Sequence, residues 1–278
     1  VQGSIAFVFP GQGSQSIGML AAISANRPVL REIFAEASDL LHRDLWQLAQ
    51  EGPVEELNQT RWTQPLMLTA GYAMFRAWEE EGGSSPDFVA GHSLGEYTAL
   101  VVAGSLDFAD ALRLVARRGE LMQNAVPEGE GAMAAVLGIS EEDLRALCQR
   151  EAQGQVLELA NLNAPGQIVV AGQRAAVERL SERAKDAGAK KVVILPVSVP
   201  SHCSLMTEAA EKFALDLAKV EFRSPNALLV HNVDAQSHRE PAAIREALRR
   251  QIFSPVRWTE SIRFLARQGA TTFVEMGP

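Results

Sequence analysis

A short, unbroken apolar run at 5–9 closes on Pro10-Gly11, and a second short strand-like stretch, 87–90, apolar after its opening Asp87, ends just before Gly91. Runs of this length, apolar on successive positions, predict strands buried inside a sheet. Between them the apolar positions recur with helical spacing. Pro28 stands at a first-turn position ahead of VLREIFAEASDLL, and an amphipathic stretch runs from Gln64 to Glu81 until residues 82–86 break it. A helix-compatible EYTALVVA follows at 96–103, and Asp107 is placed to N-cap a helix over 108–125.

The pattern changes after the breaker PEGEG at 127–131. Strand 132–138, helix 140–153, strand 155–161, strand 166–172, helix 174–187 and strand 190–196 follow in turn. That order, βαββαβ, is the ferredoxin-like arrangement. Beyond Pro196 the longer elements resume, with helix 204–219, strand 227–231, helix 241–252, helix 257–268 and a last strand 271–275. The expectation is an α/β body over residues 1–127 and 197–278, interrupted at 128–196 by a small α+β subdomain.

Composition narrows the function. With 278 residues, 47% of them hydrophobic, the chain can bury a substantial core. A net charge of −8 argues against a nucleic-acid partner, since phosphate backbones are bound by clustered cations. The two cysteines, Cys148 and Cys203, are far apart and form neither a disulfide framework nor a metal-ligand spacing. No metal site is expected. No apolar run approaches the ~18 residues of a membrane span, and the N-terminal stretch does not read as a secretion signal. A soluble, cytoplasmic protein is expected.

Gly91-His92-Ser93-Leu94-Gly95 matches G-x-S-x-G between a strand and a helix, the setting of a nucleophile elbow. Small residues two positions to either side let neighbouring backbone approach, and the helix N-terminus favours developing negative charge. A serine nucleophile needs a base. Of the five histidines, His92 reads as a scaffold hydrogen-bonder, while His42 and His238 lie among charged residues. His202 enters a helix from a proline-broken loop and suits a Ser-His dyad, with His231 its rival. No acid presents itself as a third member: Asp234 or a backbone carbonyl could hold the imidazole. Gly11-Gln12-Gly13 lacks a third glycine at position 16 and the Lys-Ser/Thr of a phosphate loop. It fits better as a turn that offers backbone N–H groups to an oxyanion. Arg118 falls in the middle of the apolar stripe formed by Ala111, Leu114, Val115, Leu121 and Met122. An inward arginine is costly unless paired, and two readings stay open: an internal salt bridge, or a fork for a substrate carboxylate.

Taken together, these residues resemble the bacterial malonyl-CoA:acyl carrier protein transacylases of type II fatty-acid synthesis, relatives of the acyltransferase domains of polyketide synthases. The resemblance spans essentially the whole chain: FVFPGQGSQ at 7–15, GHSLGEY at 91–97, ARRGELMQNA at 116–125, NLNAPGQIVVAG at 161–172, VSVPSHC at 197–203 and RQIFSPVRW at 250–258. It implies an α/β fold with a hydrolase-like parallel-sheet core and an inserted ferredoxin-like subdomain. It implies Ser93 as the acylated nucleophile, His202 as its base and Arg118 as the carboxylate clamp. Gln12 and Leu94 would supply the oxyanion-hole N–H groups, and the main-chain carbonyl of Gln251 would orient His202. The implied reaction is ping-pong transfer from malonyl-CoA to acyl carrier protein by a monomer, with no cofactor, no nucleic acid and no membrane. Val199-Pro200-Ser201-His202 resembles the fatty-acid type and favours malonyl over branched acyl groups. Docking an acidic carrier calls for a basic patch, from Lys185, Lys190 and Lys191 or from Arg245, Arg249 and Arg250. The alternatives are a serine thioester hydrolase, which needs no fixed inward arginine, and a carrier-binding module without catalysis, which would not need both Ser93 and His202.

Overall fold

The computed structural model describes residues 4–197 and 199–278. The first three residues of the expected body and Ser198 of the VSVPSHC motif lie outside the described residues. The chain opens with β1 (Ser4–Phe9) and a helical layer: α1 (Ala21–Ser24), α2 (Pro28–Leu41), α3 (Leu45–Glu51), α4 (Val54–Leu57) and α5 (Thr60–Glu80). β2 (Phe88–Gly91), α6 (Gly95–Val102) and α7 (Phe108–Gln123) follow. Next come β3 (Gly131–Leu137), α8 (Glu141–Ala152), β4 (Leu157–Ala164), β5 (Gln167–Gln173), α9 (Arg174–Arg183) and β6 (Lys191–Ile194). The last stretch holds α10 (Thr207–Leu217), β7 (Leu228–Val230), α11 (Pro241–Gln251), α12 (Trp258–Arg267) and β8 (Ala270–Glu275).

Two four-stranded sheets result. One, in the order β7-β2-β1-β8, is parallel throughout. All four residues of β2 are buried, as a central parallel strand covered by helices on both faces requires. The other sheet, β4-β5-β3-β6, is antiparallel and carries α8 and α9; its order is the ferredoxin-like one for a βαββαβ chain. The fold is therefore α/β, a hydrolase-like parallel core with a ferredoxin-like insert. The largest core cluster packs α2, α5, α6 and α7 against β1 and β2, while a separate cluster lies between the second sheet and α8 and α9. Strand-like bonds tie the two parts together: Val256 N donates to Ala160 O and Leu162 N to Val256 O, each at 2.9 Å.

Three sequence expectations need correction. α5 starts at Thr60, four residues before the expected boundary, and Pro65 lies inside it. Proline at the sixth helical position removes one backbone donor, which an apolar helix buried over three turns tolerates. Asp107 does occupy the N-cap of α7, but its carboxylate does not cap the helix; both its oxygens pair with Arg223, at 3.1 and 3.0 Å. The segment between α2 and α5 holds two further short helices that the pattern did not reveal.

Candidate active site

The carboxyl ends of β1 and β2 face the insert across a cleft, the usual place for a site in a parallel α/β sheet. β2 ends at Gly91, and α6 begins at Gly95, with Ser93 between them at φ 51°. Left-handed backbone at a non-glycine residue is strained, and the surroundings must enforce it. They do so through close approach. A Cβ on Gly91 would lie 1.8 Å from Gly95 C, and one on Gly95 would lie 2.1 Å from Phe9 O. Asn232 locks the turn from the third side, accepting from Ser93 N at 2.7 Å and donating to Gly91 O at 2.8 Å.

His202 meets the serine. Its Nε2 is 2.7 Å from Ser93 Oγ, and its Nδ1 is 2.8 Å from the main-chain oxygen of Gln251. A carbonyl at Nδ1 fixes the tautomer with the proton there, leaving Nε2 free to accept. Burial and the neighbouring Arg118 cation push the imidazole down to about 3, so the ring is neutral over the whole ordinary pH range. The other histidines sit elsewhere. His231 Nδ1 is 2.8 Å from Glu96, and His92 Nε2 is 2.8 Å from Asn163 Oδ1, with burial lowering the latter's affinity for a proton. Asp234, a candidate third acid, pairs with His238 at 2.9 Å and not with His202.

Arg118 is 1% exposed. Its Nη1 donates to Gln64 Oε1 at 2.8 Å, and its Nη2 to Gln251 Oε1 at 2.9 Å and to Ser93 Oγ at 3.1 Å. Its guanidinium lies over the Tyr97 ring, 5.5 Å from the centroid. No described carboxylate forms a salt bridge with it, and its Nε has no partner. Of the two readings the helical wheel left open, an internal salt bridge is therefore absent among the described residues. Burial lowers its proton affinity, yet arginine starts so high that it stays charged.

Ser93, His202 and Arg118 line a cavity of about 120 Å³ together with Gln12, Gln64 and Leu94. Its size suits a short acyl group. No described residue accepts from the backbone N–H of Gln12 or of Leu94. Beside it, a cleft of about 670 Å³ opens between Gln59, Thr60, Pro127 and Pro196. Gln12 borders both, so the cavity and the cleft adjoin. All six residues singled out for the site are thus brought together.

Three further residues escaped the sequence reading: Gln64, Glu96 and Asn232. Each left a trace. Gln64 and Glu96 are polar residues on otherwise apolar helical stretches, and Asn232 extends a buried strand beside a histidine.

A strained serine, an imidazole on its hydroxyl and a buried cation beside both meet at the floor of one cavity. The chain belongs to the acyl transferase domain family, whose model matches residues 6–278, and to its malonyl CoA-acyl carrier protein transacylase branch. A malonyl CoA-acyl carrier protein transacylase of Salmonella typhimurium is 54% identical over 273 residues, which are 98% of this chain and 88% of that protein. The structure of a transacylase of that name from Coxiella burnetii matches with a TM-score of 0.98 at 51% identity, covering 99% of this chain and 87% of that one. A malonyl-transacylase solved in complex with its type II PKS acyl-carrier protein matches with a TM-score of 0.97 at 52% identity, covering 99% and 89%.

Proposed function

We propose that the protein transfers the malonyl group of malonyl-CoA to the phosphopantetheine thiol of acyl carrier protein, through a malonyl-Ser93 ester, in fatty-acid biosynthesis. The observation that carries this reading is Arg118, a buried guanidinium without a carboxylate partner whose Nη2 lies 3.1 Å from the Ser93 hydroxyl. A planar fork in that place matches a carboxylate two bonds from the carbonyl under attack.

In the first half-reaction His202 Nε2 takes the Ser93 proton as Oγ adds to the thioester carbonyl. The oxyanion receives the N–H groups of Gln12 and Leu94, from which no described residue accepts. The C–S bond then breaks, and the imidazolium returns the proton to the leaving thiolate. In the second half the carrier's thiol gives its proton to His202 and attacks the ester, and Ser93 Oγ leaves with that proton. His202 and the Gln12 and Leu94 N–H groups handle the proton and the developing charge and no electrons change hands, so the proposed chemistry calls for neither metal nor redox cofactor. Every acting group comes from one chain, so a monomer suffices, and the setting we infer is the cytoplasm. For docking an acidic carrier the lysines are the better placed of the two basic sets. Arg249 is engaged by Glu211 and Glu246, and Arg245 by the carbonyls of Leu217 and Val220. No described acidic residue pairs with Lys185, Lys190 or Lys191, and β6 leads from the last two directly to the mouth of the cleft.

Intact mass after exposure to malonyl-CoA, with and without carrier protein, tests the proposal. A stable malonyl adduct that carrier protein discharges is expected. Rapid release of free malonate without carrier would make the protein a hydrolase, and no adduct at all would leave only a binding module.

A further inference from the structure

Gln251 acts in two directions at the end of α11. Its main-chain carbonyl accepts from His202, while its side-chain Oε1 accepts from Arg118 Nη2 at 2.9 Å. Its Nε2 donates to Ser93 O at 3.0 Å and to Glu96 Oε2 at 2.7 Å. An amide held between a guanidinium and a carboxylate has one orientation only. Turned over, it would set N–H against N–H on one side and oxygen against oxygen on the other.

Glu96 is fully buried in the first turn of α6. It accepts from His231 Nδ1 at 2.8 Å and from Asn232 N at 3.0 Å as well as from Gln251. The turn after β7 and the end of α11 therefore converge on one carboxylate, which does not itself line the acyl cavity. Burying a carboxylate is expensive even when it is fully hydrogen-bonded. Nothing in the proposed chemistry uses its charge directly, yet it sits one amide away from Arg118.

We infer that Glu96 is a positioning residue for acyl-group selection: by fixing the Gln251 amide it aims the Arg118 guanidinium, and so sets the preference for a carboxylate-bearing acyl group. This rests on the clamp role proposed for Arg118. The hold on His202 runs instead through the main-chain carbonyl of Gln251, which the helix backbone positions. Loss of Glu96 therefore falls more heavily on carboxylate recognition than on the proton transfer, although its bond to Asn232 N also ties it to the Ser93 turn.

The test is the malonyl-to-acetyl ratio of kcat/KM in the full chain carrying Glu96→Met, Glu96→Asp or Glu96→Gln, each with its melting temperature. Methionine matches glutamate in length but offers Gln251 no strong acceptor. The ratio should fall about tenfold or more, the scale of a lost hydrogen bond to a charged group, because malonyl transfer loses more than acetyl transfer. Glutamine keeps an oxygen for Gln251. Its amide nitrogen can face His231, whose unpartnered Nε2 lets the ring take the other tautomer. Its ratio should stay within about threefold of the parent. If Glu96→Met does not fold, Glu96→Asp decides. It keeps the charge but draws the carboxylate back by one methylene, away from Gln251, and should lower the ratio by about threefold or more. An equal loss for both acyl groups, or an unchanged ratio in a folded Met or Asp variant, overturns the inference. Arg118→Ala separates two kinds of failure. If its ratio holds, the clamp has failed; if its ratio falls while the Glu96 variants keep theirs, only the positioning role has failed.

Discussion

Arg118→Ala is the most informative single change, because the two roles open to a buried arginine give opposite results. In the proposed reaction the malonyl carboxylate enters the cavity and pairs with a guanidinium that is 1% exposed. Removing one partner of such a pair costs about 3–5 kcal/mol, which is between about 150-fold and a few thousand-fold in a rate constant. That loss should fall on malonyl-CoA. Acetyl-CoA carries no carboxylate, so its transfer should hold or improve once the unpaired cation is gone. The pH profile gives a second reading of the same change. The Arg118 cation, after burial, is what holds His202 down. Without it the imidazole takes up a proton more readily, so the acid limb of acetyl transfer should move towards neutrality. The assay is kcat/KM for both thioesters from pH 5 to 8, with melting temperatures recorded on the same samples. A malonyl-to-acetyl ratio that does not fall would refute the clamp. Equal losses on both substrates with a lowered melting temperature would make Arg118 structural.

Ser93→Ala should fold and gain no malonyl mass; an adduct on a folded variant would place the nucleophile elsewhere. His202→Ala should cut acylation by roughly 10²-fold or more, the scale of a lost general base, whereas His231→Ala should retain the parent's capacity for proton transfer. The reverse pattern would exchange their roles. Gly95→Ala should displace the elbow, since its Cβ would press on Phe9 O at 2.1 Å, and overpacking of this kind costs about 1–3 kcal/mol; a variant of parental stability and activity would sink that account. His202 binds no proton in the fold until about pH 3, while the unfolded chain binds one from about 6.5 downward. Stability is therefore undiminished above that value and lost at about 1.4 kcal/mol per pH unit below it, so His202→Asn should flatten the acid slope of the urea midpoint by one proton. An unchanged slope would count against a neutral buried ring.

Most of the architecture was legible because the two periods are strong here. Parallel strands such as β2 are apolar at every position, and the insert announces itself by strand and helix lengths unlike those around it. What escaped were short helices such as α3 and α4, which hold too few residues to display a period, and side chains whose partners lie far along the chain. Asp107 is an instance: its position is that of a cap, but Arg223, 116 residues away, takes the carboxylate. The site divides in the same way. Ser93 was legible from its two glycines, and Arg118 from its place on an apolar stripe. The carbonyl of Gln251 behind His202 was legible only through the family resemblance, and the buried Glu96 not at all, because neither a main-chain acceptor nor a long-range hydrogen bond leaves a spacing in sequence.

The electrostatics also explain why a carbonyl rather than a carboxylate stands behind His202. Arg118 must stay charged and unpaired if it is to bind an anion. A third-member carboxylate next to the imidazole would offer that cation an internal partner, and the incoming malonyl group would have to displace it. A carbonyl fixes the same tautomer without adding a charge. The nearest buried carboxylate, Glu96, is kept from this competition in two ways. Its oxygens are taken up by three donors, and the Gln251 amide stands between it and the guanidinium. The cation is thereby aimed without being neutralised. In the proposed reaction the substrate carboxylate neutralises it, and the influence that depresses His202 would then weaken at the moment the base is needed. On the proposed mechanism, selection of the acyl group and activation of the serine are one electrostatic event.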